Sequence, residues 1–339
     1  MPQLSLGVSL QPHRPSDDGT GLLRAARRAE ELGFDHVAVG NRLLESGFGL
    51  DTDPFVLLAA VAGATTRLRL LTSVLVAPYY PAAVLANQAA TLDVVSGGRL
   101  ILGVGTGWNP EEFSAVGVPV RERGARTDDH LAAARALWSH RPTDFDGPFT
   151  TLRAARLGVT PVTPGGPPVW IGGHSDAALR RALRLGDGWY GTGVDAEDLA
   201  AVRDRLRALA EAEDYRAETQ HAQAEHGQPK NAEAEHAEAD HPEADHAQAE
   251  RADGAERTDP ERLTLASAVF LTPPGIPAAV PVPGRPLGGE APTAPRVAEE
   301  LARLADAGLA ACTLWLPIAG ERLEEAMEWI AAEVVPLLD

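Results

Sequence analysis

The stretch Arg99-Leu-Ile-Leu-Gly-Val-Gly-Thr-Gly-Trp108 decides the fold, and Pro168-Val-Trp-Ile-Gly-Gly-His-Ser175 repeats its pattern further along the chain. Each begins with a short apolar run without alternation, as expected for a parallel strand buried on both faces. The glycines that follow let the backbone approach a ligand more closely than any side chain would allow. Two such units indicate an α/β barrel or a doubly wound sheet that binds a phosphorylated cofactor.

The alternation of strand and helix extends along the whole chain of 339 residues. Apolar patterning predicts strands at 4–10, 34–39, 68–76, 100–104, 169–171, 188–190, 263–271 and 311–316. It predicts helices at 21–32, 54–64, 81–95, 123–139, 175–185, 196–213, 296–307 and 321–335. Eight such repeats predict one closed (β/α)8 barrel domain over 1–339, although periodicity alone leaves an open sheet as an alternative.

Two segments interrupt the repeat. Residues 214–259, between the sixth helix and the seventh strand, form an acidic Ala-Glu-His tract with almost no large apolar side chain. This composition predicts a disordered insertion or a frayed helix, with Zn²⁺ or Ni²⁺ binding by its histidines as the less favoured alternative. Residues 272–295 are rich in Pro and Gly. Because they follow a barrel strand, we expect them to form a lid loop over the carboxyl ends of the strands.

Composition restricts the class of protein. The net charge of −18 argues against a nucleic-acid partner, which needs a basic face. No apolar stretch is long enough for a membrane helix, and the first residues lack a basic region followed by an apolar one, so we expect a cytoplasmic protein. The single cysteine, Cys312, lies in an apolar run and is expected to be a packed strand residue.

Several stretches together resemble the luciferase-like monooxygenase superfamily, and most closely its branch that uses the deazaflavin coenzyme F420. They are Asp53-Pro-Phe-Val-Leu-Leu-Ala-Ala-Val-Ala, Thr66-Arg-Leu-Arg-Leu-Leu-Thr-Ser-Val-Leu-Val76, Gln88 to Trp108, Pro167 to Ser175 and Gly186-Asp-Gly-Trp-Tyr190. The resemblance covers most of residues 1–200, whereas the last third of the chain matches only in its pattern. It implies a luciferase-like TIM barrel that binds F420, with FMN as the alternative cofactor.

The resemblance also implies where the cofactor ring lies. The peptide between Ser73 and Val74 is expected to be a non-proline cis bond that bulges against the ring; an ordinary strand is the alternative. Thr106, Gly107 and Trp108, at the end of the fourth strand, are expected to line the pocket beside the ring. For Trp108, simple hydrophobic packing is a second interpretation.

A phosphate is expected at the start of the fifth helix, because free backbone N–H groups and the helix dipole favour an anion there. The residues concerned are Gly172, Gly173, His174 and Ser175, and after the sixth strand Gly191, Thr192 and Gly193. The alternative interpretation is that Ser175 only caps the helix and His174 is a solvated loop residue.

One departure from the family is visible at the end of the second strand, where the family usually has an Asp-His pair. This chain has Asn41 and Arg42, and neither an amide nor a guanidinium exchanges a proton near neutral pH. Arg42 could bind an anionic substrate or offset charge on the reduced cofactor. His13 is the nearest substitute proton carrier by sequence, with Glu111 and Glu112 as further candidates.

These observations predict an oxidoreductase that transfers a hydride between F420 and a small organic substrate. The alternative is an FMN-dependent monooxygenase supplied by a reductase partner, since a true flavin can activate oxygen. Two further hypotheses remain. One is a non-catalytic flavin-binding protein, and the other is a different phosphate-binding barrel enzyme that uses no flavin. By resemblance, a homodimer through the second and third helices is expected, and no bound metal is predicted for the barrel.

Overall fold

The protein was analysed as a computed structural model that describes residues 4–10, 20–45, 51–226, 259–282 and 284–338, with backbone only at residue 20 and over 214–226. The strands are β1 (Ser5–Ser9), β2 (His36–Val39), β3 (Arg69–Thr72), β4 (Leu75–Val76), β5 (Leu100–Gly105), β6 (Thr143–Asp146), β7 (Thr151–Ala155), β8 (Val169–Gly172), β9 (Gly188–Thr192), β10 (Thr264–Phe270) and β11 (Ala311–Trp315). The helices are α1 (Thr20–Glu31), α2 (Pro54–Ala64), α3 (Ala82–Ser96), α4 (Pro110–Ala115), α5 (Arg123–Ser139), α6 (Asp176–Leu185), α7 (Ala196–His226), α8 (Ala294–Asp306) and α9 (Leu323–Trp329).

Eight parallel strands form a closed barrel, which confirms the predicted fold. The order is β3-β2-β1-β11-β10-β9-β8-β5, and β5 pairs back with β3 through Leu70↔Leu100 and Leu71↔Ile101. The buried cluster inside the barrel combines four alanines with Leu71, Ile101, Trp170 and Tyr190. The larger apolar core lies between the strands and the helices around them. The strands are therefore buried on both faces, which explains their unbroken apolar runs.

The third predicted strand is interrupted where the ligand pocket begins. After Thr72 the chain passes through a cis peptide between Ser73 and Val74 and continues as β4. The cis bond expected from the family resemblance is therefore present. Beside it the Thr72 hydroxyl donates to the Gly103 carbonyl oxygen, 2.7 Å away. A Cβ on Gly103 would lie 2.0 Å from the Thr72 carbonyl oxygen, so β3 and β5 approach closely only because this residue is glycine.

Three features were not anticipated in full. The hairpin of β6 and β7 between α5 and β8, and the short helix α4, were not predicted. Helix α7 runs to His226 and so enters the segment expected to be disordered; residues 227–258 and the proposed metal-binding histidines lie outside the described side chains. Cys312 is buried in β11, as expected. None of the described helices is long and apolar enough to cross a membrane.

The Pro/Gly-rich segment lies on the carboxyl ends of β10 and β11. The Ala279 N–H donates to the Pro317 carbonyl oxygen at 2.7 Å, and the Leu287 N–H donates to that of Phe270 at 2.8 Å. Its apolar side chains Ile276 and Leu287 are buried. These contacts fix the segment beside the mouth of the barrel, where the lid was expected.

The glycine at the β3–β5 junction yields a stability prediction. We expect Gly103→Ala to lower the free energy of unfolding by at least about 3 kcal/mol, because the new methyl group would overlap a backbone oxygen that side-chain movement cannot relieve. Urea denaturation of both proteins measures the difference. Gly63→Ala is the matched control in α2: nothing lies within 4 Å of its Cβ position, so a gain of up to about 1 kcal/mol is expected. Equal effects of the two variants would contradict this account.

Candidate functional site

A cavity of about 720 Å³ opens at the carboxyl ends of the barrel strands. In a (β/α)8 barrel this face carries the functional site, because the loops that follow the strands converge there. The lining includes Asn41, Arg42, Ser73, Val74, Thr106, Gly107, Trp108, Gly172, Gly173, Thr192 and Gly193. It also includes residues that the sequence analysis did not single out, among them Tyr79, Tyr190, Phe270, Thr313 and Trp315.

The cis peptide forms the floor of the cavity. The side chain of Val74 sits between two glycines of neighbouring strands. A Cβ on Gly105 would lie 2.6 Å from Val74 Cγ2, and a Cβ on Gly172 would lie 3.1 Å from Val74 Cγ1. Side chains at these two positions would push Val74 out of place. Gly105 and Gly172, which belong to the two glycine-rich stretches of the sequence, therefore accommodate the bulge formed by Ser73 and Val74. They also leave room for a ligand.

Two hydroxyl groups meet beside this bulge. Ser73 Oγ lies 2.9 Å from the hydroxyl oxygen of Tyr190. Burial raises the pKa of Tyr190 to about 12, although hydrogen bonds with Ser73 and Thr313 oppose that shift. The phenol is therefore neutral at neutral pH and can both donate and accept a hydrogen bond.

A charged cluster lines the mouth of the cavity. The guanidinium of Arg42 lies over the ring of Trp108, 4.6 Å from its centroid, and Arg42 Nη1 is 3.8 Å from Glu112 Oε2. The tryptophan is 61% exposed, so the stacked pair borders solvent as well as the cavity. Such a cation–π contact holds the guanidinium plane in one orientation without neutralising its charge.

Glu112 anchors this cluster from below. Its carboxylate is 1% exposed and accepts from the N–H groups of Leu43 (2.9 Å) and Leu44 (3.2 Å) and from the hydroxyl of Tyr79 (2.8 Å). Burial alone would raise the pKa of Glu112, but these hydrogen bonds and Arg42 outweigh it and lower the pKa. The carboxylate therefore holds the loop after β2, which carries Arg42, against α4.

Asn41 has a structural contact. Its Oδ1 accepts from the Val76 N–H at 3.1 Å, which ties the end of β2 to β4. Asn41 is buried and lines the cavity. The amide thus supports the strand that carries the bulge, in the place where the family usually has an acid.

The start of α6 lies beside the cavity. Ser175 is the N-cap, and its Oγ accepts from the Ala178 N–H at 3.3 Å. Gly173 has a φ of 122°, which only glycine adopts without strain. His174 is exposed, and its Nε2 accepts from the Thr192 N–H at 3.2 Å, so the ring links the loop after β8 to the last residue of β9.

Not every predicted site residue reaches the cavity. Gly172 and Gly173 line it, whereas His174, Ser175 and Gly191 are outside the lining. Gly191 instead leaves room for a neighbouring ring, because its Cβ would lie 2.3 Å from Trp189 Cη2. Their role in phosphate binding stays a prediction.

The predicted proton carriers have separate outcomes. Glu112 lines the cavity, while Glu111 is exposed on α4 and does not. His13 lies outside the described residues. Within the described part of the chain, no group of three or more His, Cys, Asp or Glu residues could hold a metal ion.

The model of the family described as luciferase-like monooxygenase matches residues 4–271. The chain belongs to this luciferase-like family. An uncharacterized protein of Mycobacterium bovis is 40% identical over 178 residues, which are 52% of this chain and 60% of that protein. The FMNH₂-dependent dimethylsulfone monooxygenase of Pseudomonas putida is 31% identical over 219 residues, which are 62% of this chain and 60% of that enzyme. The chain thus spans about three fifths of the length of these curated relatives.

Solved structures confirm the luciferase-like barrel. The monooxygenase RslO1 from Streptomyces bottropensis superposes with a TM-score of 0.72, covering 98% of this chain and 99% of that one at 19% identity. The F420-dependent tetrahydromethanopterin reductase from Methanopyrus kandleri has a TM-score of 0.69, covering 99% and 100% at 15% identity. At these identities the likeness establishes the luciferase-like fold and no more.

The buried carboxylate yields a prediction with a definite pH dependence. We expect Glu112→Gln to lower the free energy of unfolding by about 1–3 kcal/mol at pH 7, because one amide oxygen cannot replace the two carboxylate acceptors. Since the folded-state pKa is lowered, the stabilisation is present above the unfolded-state pKa of about 4.5 and is lost as pH falls through the folded value. Denaturation at pH 7 and pH 4 should show the difference from wild type shrinking.

The exposed neighbour provides the control. Glu111→Gln should change stability by no more than about 0.5 kcal/mol at either pH. A Glu112→Gln effect that stayed constant from pH 7 to pH 4 would count against the carboxylate as its origin.

Proposed function

We propose that this protein transfers a hydride between coenzyme F420 and a small organic substrate. The observation that carries the proposal is the Ser73–Val74 bulge at the floor of a large cavity, seated between Gly105 and Gly172. A flat ring can lie against such a floor because Gly105 and Gly172 place no side chain of their own beside the bulge. The family membership of the chain supports this assignment.

The residues present suit a ring with a phosphorylated tail. Ser73 and Val74 would lie under the ring, and Thr106, Gly107 and Trp108 would line its edge. The phosphate would bind at the start of α6, where helix N–H groups and the dipole favour an anion. When bound, a deazaflavin supplies two-electron hydride chemistry, and the protein supplies binding and orientation.

Gly172, Gly173, His174 and Ser175 are proposed to form this phosphate region, with Gly191 near the end of β9. Ser175 already caps the helix, so it would contact a phosphate while still accepting from the Ala178 N–H. The helix is long enough, at 10 residues, for a developed N-terminal dipole. Asp176, in the first turn, pairs with Arg205 at 2.5 Å, which offsets its charge beside an incoming anion.

Arg42 is proposed as the residue that orients the substrate or balances the reduced cofactor. It is fixed over Trp108 and remains only partly buried at the mouth of the cavity. A guanidinium in this position attracts anionic or polar oxygen groups. Asn41 is proposed to have an indirect role. Its side chain accepts a hydrogen bond from β4, so it would hold the Ser73–Val74 bulge in place and would not contact a reacting atom.

An FMN-dependent monooxygenase is the second candidate. It is favoured by the similarity to the Pseudomonas putida enzyme, which is named as FMNH₂-dependent. In that case a separate reductase would supply reduced FMN. The deazaflavin is preferred because the stretches quoted from the sequence, taken together, resemble the F420 branch most closely. The segment 272–295, which contributes Gly284 to the lining, is proposed to cover the substrate.

A homodimer through α2 and α3 is part of the proposal. The two helices pack against each other and expose Val56 (73%) on α2 and Val84 (44%) on α3. Exposed small and apolar residues on adjacent helices allow close packing against a second copy.

The proposed dimer is tested by placing a charge on this face. We expect Val84→Asp to raise the dimer dissociation constant by about tenfold or more, since a carboxylate would be buried without a partner. Light scattering coupled to size-exclusion chromatography over a range of concentrations measures it. Val335→Asp, at an exposed valine outside both helices, should leave the dimer intact. A wild-type protein that is monomeric at all concentrations would refute the dimer.

The cofactor is identified by titration. We expect oxidised F420 to quench tryptophan fluorescence with a lower dissociation constant than FMN, and Gly173→Asp to weaken binding by about tenfold relative to Gly173→Ala, since the carboxylate repels the phosphate. Both variants place a Cβ at a φ of 122°, so their ratio removes the part of the backbone strain that the two share. Preference for FMN would establish the second candidate, and binding of neither would refute the cofactor assignment.

A further inference from the structure

A row of polar side chains runs from the cavity lining into the barrel interior. Ser73 Oγ lies 2.9 Å from the Tyr190 hydroxyl, and the Tyr190 hydroxyl also hydrogen-bonds with Thr313. Thr313 Oγ1 lies 2.8 Å from Nε2 of His36. Ser5 Oγ, at the amino end of β1, is 3.5 Å from the other ring nitrogen, Nδ1. The row therefore connects the cavity to the opposite end of the barrel.

The sequence makes room for His36 inside the barrel. A Cβ on Gly7 would lie 2.2 Å from His36 Cδ2, so the ring occupies space that only a glycine on β1 leaves open. His36 is 1% exposed and lies beside an inner cluster that is almost entirely apolar. An imidazole is unusual at such a buried position, because each of its two ring nitrogens needs a hydrogen-bond partner.

The imidazole is held neutral. Burial lowers the pKa of His36 to about 3, and the positive charge of Arg69 on β3 contributes in the same direction. Arg69 is itself influenced by Asp35, which precedes β2. The groups that face the ring from β1 and β11 are the uncharged Ser5, Gly7 and Thr313. At neutral pH the ring therefore has one proton, on either Nδ1 or Nε2.

The two tautomers orient the hydroxyl groups in opposite directions. If Nε2 carries the proton, it donates to Thr313, Thr313 donates to Tyr190, Tyr190 donates to Ser73, and Ser73 presents a donor to the cavity. If Nδ1 carries the proton, every bond reverses, and Ser73 presents an acceptor. The tautomer of a buried ring therefore decides what the cavity floor offers a ligand.

We propose that Ser73, Tyr190, Thr313 and His36 form a proton relay that moves one proton between the cavity floor and the amino end of the barrel. The proposal rests on the proposed function above. Ser73 and Tyr190, which line the cavity, are the groups that meet the ligand. Thr313 also lines the cavity, whereas His36 does not and acts through Thr313 as a positioning residue.

The proton balance is complete without a charged intermediate on the protein. A substrate that loses a hydride from a C–H bond to oxidised F420 must also lose the proton of its O–H or N–H group to become neutral. That proton passes to Ser73 Oγ, the Ser73 proton to Tyr190, the Tyr190 proton to Thr313 and the Thr313 proton to His36 Nε2. The Nδ1 proton then leaves toward Ser5 and water, and substrate reduction reverses each transfer.

The relay explains how this chain manages without the acid at the end of β2. Asn41 and Arg42 cannot exchange a proton near neutral pH, and the carboxylate of Glu112 already accepts three hydrogen bonds. The hydroxyl pair beside the cis bond is reached from the cavity and needs no ionisation.

The test follows the His36 tautomer by NMR of protein labelled with ¹⁵N-histidine, with the His36 signals assigned from their loss in His36→Gln. Spectra are recorded with saturating oxidised and reduced F420. We expect the ring to remain neutral and its proton to be on a different nitrogen in the two complexes. Thr313→Val and Tyr190→Phe each break the row, so either variant should abolish this difference. F420 is titrated into each variant and the spectra are recorded at saturation, so the comparison does not depend on an unchanged affinity.

Thr127→Val is the control, since it removes a buried hydroxyl that donates to Arg123 O on α5, away from the row. It should retain the tautomer difference. The same tautomer in both wild-type complexes, or an imidazolium in either, would overturn the relay while leaving the proposed function intact. Failure of F420 to bind would overturn both.

Discussion

The site depends on one constraint, which is the close approach of three neighbouring strands around Val74. Gly103 brings β5 against the Thr72 carbonyl oxygen, and Gly105 and Gly172 leave the space that the Val74 side chain fills. Any side chain at these glycines would collide with the strand that carries the bulge. The glycines thus set the barrel closure and the shape of the cavity floor together, because β5 lies between β3 and β8.

The polar groups around this floor fall into two kinds. At the mouth, a buried carboxylate, Glu112, is ionised and holds the loop that presents Arg42. Below the floor, Tyr190 and His36 are both held neutral by burial. A buried carboxylate that accepts several hydrogen bonds remains ionised, whereas a buried group whose ionised form is not stabilised in this way remains neutral. The site therefore offers a positive charge at its entrance and uncharged hydroxyl groups at its base.

Much of the fold could be predicted from one sequence. The barrel strands were located because short apolar runs between helical patterns are typical of buried parallel strands. The hairpin of β6 and β7 was missed because its strands, Thr143–Asp146 and Thr151–Ala155, are short, polar and half exposed. Helix α4 was missed because its six residues are too few for a periodic pattern. The residues near the cofactor, Ser73 and Val74 among them, came from family resemblance and not from periodicity.

By itself the sequence determined the family, the eight alternations of strand and helix, and the glycine motifs at the carboxyl ends of the strands, because these are local patterns along the chain. Only the tertiary structure decided that Ser73, Tyr190, Thr313 and His36 stand in one row, since three of them come from β2, β9 and β11 and Ser73 from the link between β3 and β4. A strand pattern states which faces are buried, but both faces of these strands are buried. The pairing register alone reveals that His36 points inward, opposite Gly7 and beside Thr313.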